Sequence, residues 1–308
     1  LGAATLTVGG DGTSTSYDGV ISGTGALTKS GAGTQTLTRA NTYTGTTTIN
    51  AGTLAIQSTY ASASHVIASG AVLELNVVAG TRDYANTTFS GTGTLRKTGV
   101  GTAQWSATIA TFSLTSGSLI DIVAGTLEGG SFGNEVWTSN LSDLTVASGA
   151  TFRGDEANVR VNKINGAGII KTGYTGAGYV KFTLGIDNGT GGDFSGTIID
   201  DQAAGNIEKV GTGTQILSGA NTYTGTTTSS AGTLQIGNGG TTGSLSTSSA
   251  ITNNATLTFN RTNTVTGGVD FQSGIGGTGA VTQAGSGTLI FTGANTYTGT
   301  TTISAGTL

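Results

Sequence analysis

The 308-residue sequence contains no cysteine, proline or methionine, and it has a single histidine. Without cysteine the chain can form neither disulfide bonds nor thiolate metal sites, and it has no cysteine nucleophile. Charged residues make up only 9% of the chain, whereas about a quarter of an ordinary globular domain is charged. No apolar run approaches the roughly 18 residues of a membrane-spanning helix. These absences exclude disulfide scaffolds, thiol chemistry and helical membrane spans.

The charge balance is slightly acidic, with a net charge of −4 and a pI near 4.8. A nucleic-acid-binding surface needs clustered basic residues, and the sequence has none. Glycine is abundant, at 55 residues, but it does not recur at every third position, so a collagen helix is excluded. Because the apolar residues are regularly spaced, disorder is also a poor interpretation.

Two phrases recur along the chain. The phrase A-N-T-Y-T-G-T-T-T is centred on Tyr43, Tyr223 and Tyr297 and is followed by A-G-T-L. A second phrase, close to G-x-G-x-L-x-K-x-G-x-G, precedes each copy and ends at glycines 33, 213 and 287. It also occurs alone, ending at glycine 101, and in a weaker form that ends at glycine 176 and is one residue short. The repeating unit is about 37 residues long, and such a period indicates a solenoid, a propeller or an array.

Apolar residues alternate within each unit, which predicts strands rather than helices. The inward candidates in the first copy are Leu27, Leu37, Ile49, Leu54 and Ile56. Short strands separated by glycine-rich corners predict an all-β fold, a right-handed parallel β-helix. Each unit would form two coils of about 18–19 residues, giving roughly 15–17 coils in all. We expect residues 1–308 to form one β-helical segment.

The polar residues of the first phrase are expected to be structural. The asparagines should occupy corners between strands, where asparagine tolerates a left-handed backbone and bonds locally. The tyrosines should cover those corners, with a ligand platform as the alternative. The residues concerned are Asn41, Tyr43, Asn221, Tyr223, Asn295 and Tyr297.

The combination of these phrases resembles the autotransporter-associated β-strand repeat, also called the passenger-associated transport repeat. The resemblance covers most of residues 1–128 and 164–308. It implies a cell-surface or secreted passenger of a type V secretion protein, exported by a C-terminal outer-membrane β-barrel of the parent chain. In that family the repeats are thought to assist export and folding rather than catalysis. A chain without cysteine or proline suits export in an unfolded form, because neither disulfides nor prolyl isomerisation can delay it.

The two ends of the sequence lie at a similar phase of the repeat. Leu6 and Leu308 both align with Leu234, and neither end carries the polar cap of a terminal repeat. We therefore expect a piece of a longer rod whose open coils associate end to end. A self-assembling extracellular filament is the alternative within the non-enzymatic class.

Residues 129–163 depart from the repeat and hold a cluster of aromatic and charged residues. Insertions in solenoids often map to a binding face, so a host-surface or matrix ligand is one interpretation; degenerate coils with a solvated charged edge are the other. The tripeptide Arg153-Gly154-Asp155 matches the integrin-binding sequence, which is a weak signal. The candidate binding surface comprises Trp137, Arg153, Gly154, Asp155, Glu156 and Arg160.

A β-helical polysaccharide-active enzyme is the alternative from a different class, since such enzymes use clustered carboxylates or bound Ca²⁺. The candidates are Asp155 and Glu156 with Arg153 and Arg160, and a group formed by Asp187, Asp193, Asp200 and Asp201. His65 has no evident nucleophile partner for a catalytic triad.

Ice binding is the least favoured interpretation. It would need Thr-x-Thr on consecutive coils, and the phrase copies are too far apart for their threonine rows to stack on one another.

The sequence as a whole predicts a non-catalytic stalk of an exported cell-surface protein that supports adhesion or display. No catalytic residue, cofactor or metal ligand is assigned, and the stacked leucine, isoleucine and valine side chains carry the function.

Overall fold

The computed structural model describes residues 1–106, 108–129, 137–175 and 178–308. These residues form short strands joined by turns, with no helix among them, so no helix in the described part of the chain could cross a membrane. The chain divides into two compact units, Leu1–Ala157 and Asn158–Leu308. Each unit is a parallel β-solenoid, which confirms the predicted fold class.

The first unit contains seventeen strands in the residues that the structure describes. They are β1 (Leu6–Val8), β2 (Thr15–Tyr17), β3 (Leu27–Lys29), β4 (Thr34–Leu37), β5 (Thr47–Ile49), β6 (Thr53–Ile56), β7 (Ser64–Ile67), β8 (Val72–Asn76), β9 (Thr81–Asp83), β10 (Thr87–Gly91), β11 (Thr94–Thr98), β12 (Thr102–Gln104), β13 (Ala110–Leu114), β14 (Leu119–Ile122), β15 (Thr126–Glu128), β16 (Asp143–Val146) and β17 (Thr151–Arg153).

The second unit also contains seventeen strands in its described residues. They are β18 (Val159–Val161), β19 (Ile164–Gly166), β20 (Ile169–Thr172), β21 (Lys181–Leu184), β22 (Gly192–Phe194), β23 (Thr197–Asp200), β24 (Asn206–Lys209), β25 (Thr214–Leu217), β26 (Thr227–Ser229), β27 (Thr233–Ile236), β28 (Ile251–Asn253), β29 (Thr256–Phe259), β30 (Val265–Thr266), β31 (Ile275–Gly276), β32 (Ala280–Gln283), β33 (Leu289–Ile290) and β34 (Thr301–Ile303).

Three parallel sheets line the first unit. Sheet A has the strand order β1-β3-β5-β7-β10-β13, sheet B has β2-β4-β6-β8-β11-β14-β16, and sheet C has β9-β12-β15-β17. In the second unit, sheet D has the order β18-β21-β24-β26-β28-β31 and sheet E has β19-β22-β25-β27-β29-β32-β34. Two further pairs, β20-β23 and β30-β33, complete its described strands. Strands inside these sheets hydrogen-bond to the coils before and after them, which satisfies their backbone groups.

Coil length follows the repeat only where the repeat is intact. In sheet B, Thr34 pairs with Thr53 and Thr53 with Val72, an interval of 19 residues each time. The family phrase therefore builds two stacked coils, as predicted. Later intervals are longer, because Val72 pairs with Thr94 and Thr94 with Leu119. Sheets B and E each have seven strands in the described residues, so the predicted 15–17 coils is too many.

The core consists of columns of inward side chains, one from each coil. The five inward candidates of the first copy are all buried, with exposed fractions of 2% or less. In sheet B the column runs through Leu54, Leu73, Leu95, Ile120 and Leu144, which pair in register. One coil cannot bury its own apolar edge, so each column is a core only because coils stack.

One glycine of each repeat is required by the stacking of coils. Gly52 has a φ of 63°, and a Cβ added there would lie 2.4 Å from the carbonyl oxygen of Gly33 in the preceding coil. Gly232 lies in the same way against the carbonyl of Gly213. The glycine of A-G-T-L thus stacks on the last glycine of the lysine phrase, and any side chain would separate the two coils.

Candidate functional site

The asparagine of each repeat joins two coils through its side chain. Its Oδ1 accepts a hydrogen bond from a backbone N–H one coil earlier, and its Nδ2 donates to the carbonyl of the residue two positions before it. The Oδ1 distances are 2.9 Å for Asn41 to Ile21, 3.0 Å for Asn221 to Ile198 and 2.9 Å for Asn295 to Ile275. We call this arrangement the asparagine clip. The same isoleucine carbonyl accepts the N–H groups of the next two residues after the asparagine, such as Thr42 and Tyr43.

The prediction of a left-handed backbone at these asparagines is wrong. Among the described residues, the non-glycine residues with positive φ are Asp155 and Asn188. The asparagines hold the corner through side-chain hydrogen bonds instead, because a planar amide can accept from one coil and donate within its own.

The tyrosine two residues after the asparagine fixes the corner between strands from the interior of the solenoid. The hydroxyl of Tyr43 lies 2.6 Å from Oγ1 of Thr47, and that of Tyr223 lies 2.6 Å from Oγ1 of Thr227. Both rings are fully buried, and burial raises the pKa of Tyr43 and of Tyr223 to about 12. Tyr297 makes the same bond to Thr301. Buried rings leave no platform for a ligand at the first two copies.

The lysine of the second phrase lies inside the solenoid core and not at the solvent-exposed surface. Lys29, Lys97 and Lys209 are 0–1% exposed. Each Nζ donates to the carbonyls of the next two residues at 2.6–3.0 Å and to an alanine carbonyl one coil later. That alanine is Ala51, Ala124 or Ala231, the first residue of A-G-T-L, at 3.1–3.2 Å. We call this arrangement the carbonyl cage.

The cage explains how a cation survives in an uncharged core. Burial lowers the pKa of Lys97 and of Lys209 to about 8. Because three carbonyls accept the three ammonium protons, the charged form keeps all its hydrogen bonds at neutral pH. Sequence reasoning missed this role, since only apolar residues were taken as inward candidates. The fixed spacing between the lysine and the two glycines that follow it was the sequence feature that indicated a structural role for the lysine.

Two copies depart from the cage in informative ways. In the weaker copy the one-residue shortening places Thr172 inward and leaves Lys171 half-exposed, because a slip of one residue exchanges the two faces of a strand. In the last copy Gln283 replaces the lysine and donates to the carbonyls of Gly285 and Gly287 at 2.8 and 3.0 Å. A neutral amide therefore fills the same position.

The candidate binding surface does not include all of its predicted members. Trp137 is 1% exposed, stacks on Phe112 at 4.1 Å and donates to the carbonyl of Gly129. It belongs to the core, because its large apolar ring gains more from burial than a ligand-facing position would allow. The exposed binding role predicted for Trp137 is therefore corrected, whereas binding by the remaining residues stays a prediction.

The integrin-like tripeptide is folded back on itself. Arg153 forms ion pairs with Glu128 at 3.2 Å and with Asp155 at 3.3 Å, and the Asp155 side chain is 14% exposed. Gly154 is buried and Glu156 is half-buried. These residues lie in the first unit, whereas Arg160 is an exposed residue of β18 in the second unit. The arginine and the aspartate thus neutralise each other instead of presenting two separate charges.

The other carboxylates of the second unit mainly bond to neighbouring coils. Asp193 accepts hydrogen bonds from Ser218 and Asn238, and Asp200 accepts from Gly205 and Thr224. Asp187 lies in the turn after β21, and Asp201 follows β23. In the described part of the chain no group of three or more acidic or histidine side chains could hold a metal ion.

His65 is buried among aromatic rings. Its Nδ1 lies 2.9 Å from Oγ1 of Thr87, and its ring stacks on Phe89 at 5.5 Å. Burial lowers its pKa to about 3, so the ring is neutral at pH 7.

Comparisons with known proteins agree with the repeat structure. The family described as Passenger-associated-transport-repeat matches residues 27–56, 207–236 and 281–308. The first match begins in β3, ends with β6 and contains the cage, the asparagine of the clip and the A-G-T-L glycine of that copy. No solved structure matches the chain.

A curated relative extends the similarity beyond the repeats. The Adhesin BmaC autotransporter of Brucella suis biovar 1 (strain 1330) is 32% identical over 269 residues, which cover 72% of this chain and 7% of that protein. The chain thus spans a small part of the length of its relative. The chain carries passenger-associated transport repeats, and its similarity to an autotransporter passenger implies export across the outer membrane to the cell surface or the extracellular space.

Proposed function

We propose that this chain is a non-catalytic stalk segment of an adhesin-like autotransporter passenger. The observation that carries the proposal is the direction in which the side chains of the repeat motif point. The asparagine, tyrosine, lysine and glycine of the repeat all point at neighbouring coils or into the core. A motif that recurs for coil-to-coil contacts serves the scaffold, because residues used for binding or catalysis must meet a ligand.

The contacts made by the repeat motif would also serve folding during export, which is the role expected of repeats in this family. The lock between Tyr223 and Thr227 and the bond from Asn221 to Gly219 are local to one coil. Oδ1 of Asn221 in that coil then accepts a hydrogen bond from the N–H of Ile198, which lies in the preceding coil. A coil that has formed its local bonds presents a ready template for the next one, so the solenoid can grow by single coils. The parent chain would supply the C-terminal outer-membrane translocator.

The adhesin role rests on the similarity to the Brucella protein. A stalk would display an adhesive surface located elsewhere in the parent protein. Soluble polysaccharides should then be left intact by the purified chain.

The test separates a stalk from a direct binder. In cells that display the parent protein, Glu156→Gln with Arg160→Gln should leave adhesion per displayed molecule within about twofold of the parent. Asn221→Ala should instead lower the number of protease-resistant displayed molecules without changing adhesion per molecule. A loss of adhesion of about tenfold in the charge variant, at unchanged display, would show that this segment itself binds the ligand.

A further inference from the structure

The outward side chains of sheet A form an ordered array of hydroxyl groups, which we call the threonine face. One column takes one residue from each of six coils, paired in register without a bulge. Its members are Thr7, Thr28, Thr48, Val66, Ser90 and Ser113. A second column, two residues earlier along the strands, contains Ser64, Thr88 and Thr111.

Ice binding was disfavoured on the sequence because the threonine rows of the repeat copies cannot stack on one another. The array of sheet A answers this objection. The copies of the repeat are indeed far apart along the chain. However, the two coils of one copy place Thr28 beside Thr48, and the degenerate coils that follow continue the column through Ser90. Threonine therefore stacks on three consecutive coils, Val66 occupies the fourth, and serine occupies the next two, where the repeat phrase is lost.

The threonine face carries no ionisable side chain. The two ionisable residues in the six strands of sheet A, Lys29 and His65, are fully buried and belong to the inward columns. The neighbouring sheet B differs, since Glu74, Arg96 and Asp121 pair in register on its outer side. Fixed charges orient nearby water around themselves, so a neutral face is the one that can hold water in a lattice.

The face is also held rigid from behind. His65, Phe89 and Phe112 form the column beneath it, with successive ring centroids 5.5 Å apart. Phe112 in turn stacks on Trp137. A packed aromatic column fixes the strands, and the β-branched threonines on them have few side-chain rotamers. Little conformational entropy would be lost when such an array binds an ordered ligand.

We propose that the threonine face binds ice. Neighbouring coils place hydroxyl groups about 4.8 Å apart, and alternate residues along a strand place them roughly 6.7 Å apart. These two repeats resemble the oxygen spacings of hexagonal ice, and the methyl groups of threonine can sit in the gaps of that lattice. Exposed aromatic rings, which neutral sugars prefer to stack on, are lacking on the outward positions of these six strands.

The experiment measures inhibition of ice recrystallisation and partitioning into growing ice, using the whole 308-residue chain. The chain should inhibit recrystallisation, and Thr88→Lys should raise the concentration needed by at least about tenfold. Thr36→Lys, which places the same charge on the outer side of sheet B, is the matched control and should change it less than about twofold. Circular dichroism of both variants verifies that they are folded.

Two results would overturn the proposal. One is a folded parent chain that neither inhibits recrystallisation nor enters ice. The other is an equal loss in Thr88→Lys and Thr36→Lys, which would show that the effect does not arise from this face. Binding of the chain to an insoluble neutral polysaccharide that is lost in Thr88→Lys, without any ice activity, would assign the face to glycans instead.

Discussion

At the scale of single residues, the asparagine clip makes the sharpest prediction. Asn221→Ala removes the acceptor for the N–H of Ile198 and leaves that buried group unpaired. The loss should lower the free energy of unfolding by about 1–3 kcal/mol. Thr222→Ala is the control, because this exposed neighbour contributes its backbone N–H, which alanine retains. Urea denaturation of both variants checks the difference. Equal stabilities of the two variants would show that the asparagine clip does not stabilise the fold.

His65 should make the first unit sensitive to acid. Its pKa is lowered to about 3 by burial, whereas an unfolded histidine titrates near 6.5. The unfolded chain therefore binds the proton first, and stability is full above pH 6.5 and falls as the pH decreases towards 3. The loss between pH 7 and pH 5 should be about 2 kcal/mol.

His65→Phe provides the matched comparison for this acid effect. Phenylalanine continues the column formed with Phe89 and has no ring nitrogen to protonate. The variant should lose most of the pH dependence between 7 and 5 in denaturation curves. An unchanged slope would mean that another group causes it.

At the scale of the element, the carbonyl cage links the two phrases of the repeat. Lys97→Met leaves three carbonyls in the core without a donor and should cost roughly 2–4 kcal/mol. Lys97→Gln should cost less, because Gln283 already fills this position in the last copy. Thermal denaturation ranks the two variants. If methionine is tolerated as well as glutamine, the cage has no stabilising role.

The sequence could predict strands and their inward residues here, but not the cage or the coil lengths. Alternation identified Leu27, Leu54 and Ile56 as core residues because apolar periodicity depends only on neighbours in the chain. The cage depends on Ala51, one coil away from Lys29, and such a contact cannot be seen before the coils are stacked. The longer coils carry no repeated phrase that would fix their length.

The phase assigned to the first strand was wrong for a related reason. Leu6 was aligned with Leu234, but it pairs with Leu27 in the strand of the lysine phrase. Both types of strand read as a leucine followed two residues later by another inward residue, so a short segment does not distinguish them. Pairing between coils decides the phase, and composition alone cannot.

At the scale of the whole molecule, a solenoid should respond locally to damage, since each coil contacts only its neighbours. Gly52→Ala tests this in the first unit. Its new Cβ would meet the carbonyls of Gly33 and Ala32 at 2.4 and 2.6 Å, on a backbone with φ of 63°. Gly70→Ala is the control, because Gly70 has a φ of 76° but nothing within 4 Å of a Cβ. Both variants carry the left-handed strain, and the first alone separates two coils.

Hydrogen exchange followed by mass spectrometry reads out this difference coil by coil. Gly52→Ala should lower the free energy of unfolding by about 2–4 kcal/mol, and Gly70→Ala by about 1–2 kcal/mol. Faster exchange should appear in β4, β6 and β8, which hydrogen-bond to one another around Gly52, while β14 and β16 keep their protection. Uniformly faster exchange across the first unit would mean that its coils unfold as one cooperative body. A solenoid built to add coils singly during export requires the local response, because each new coil must be stable on the one before it.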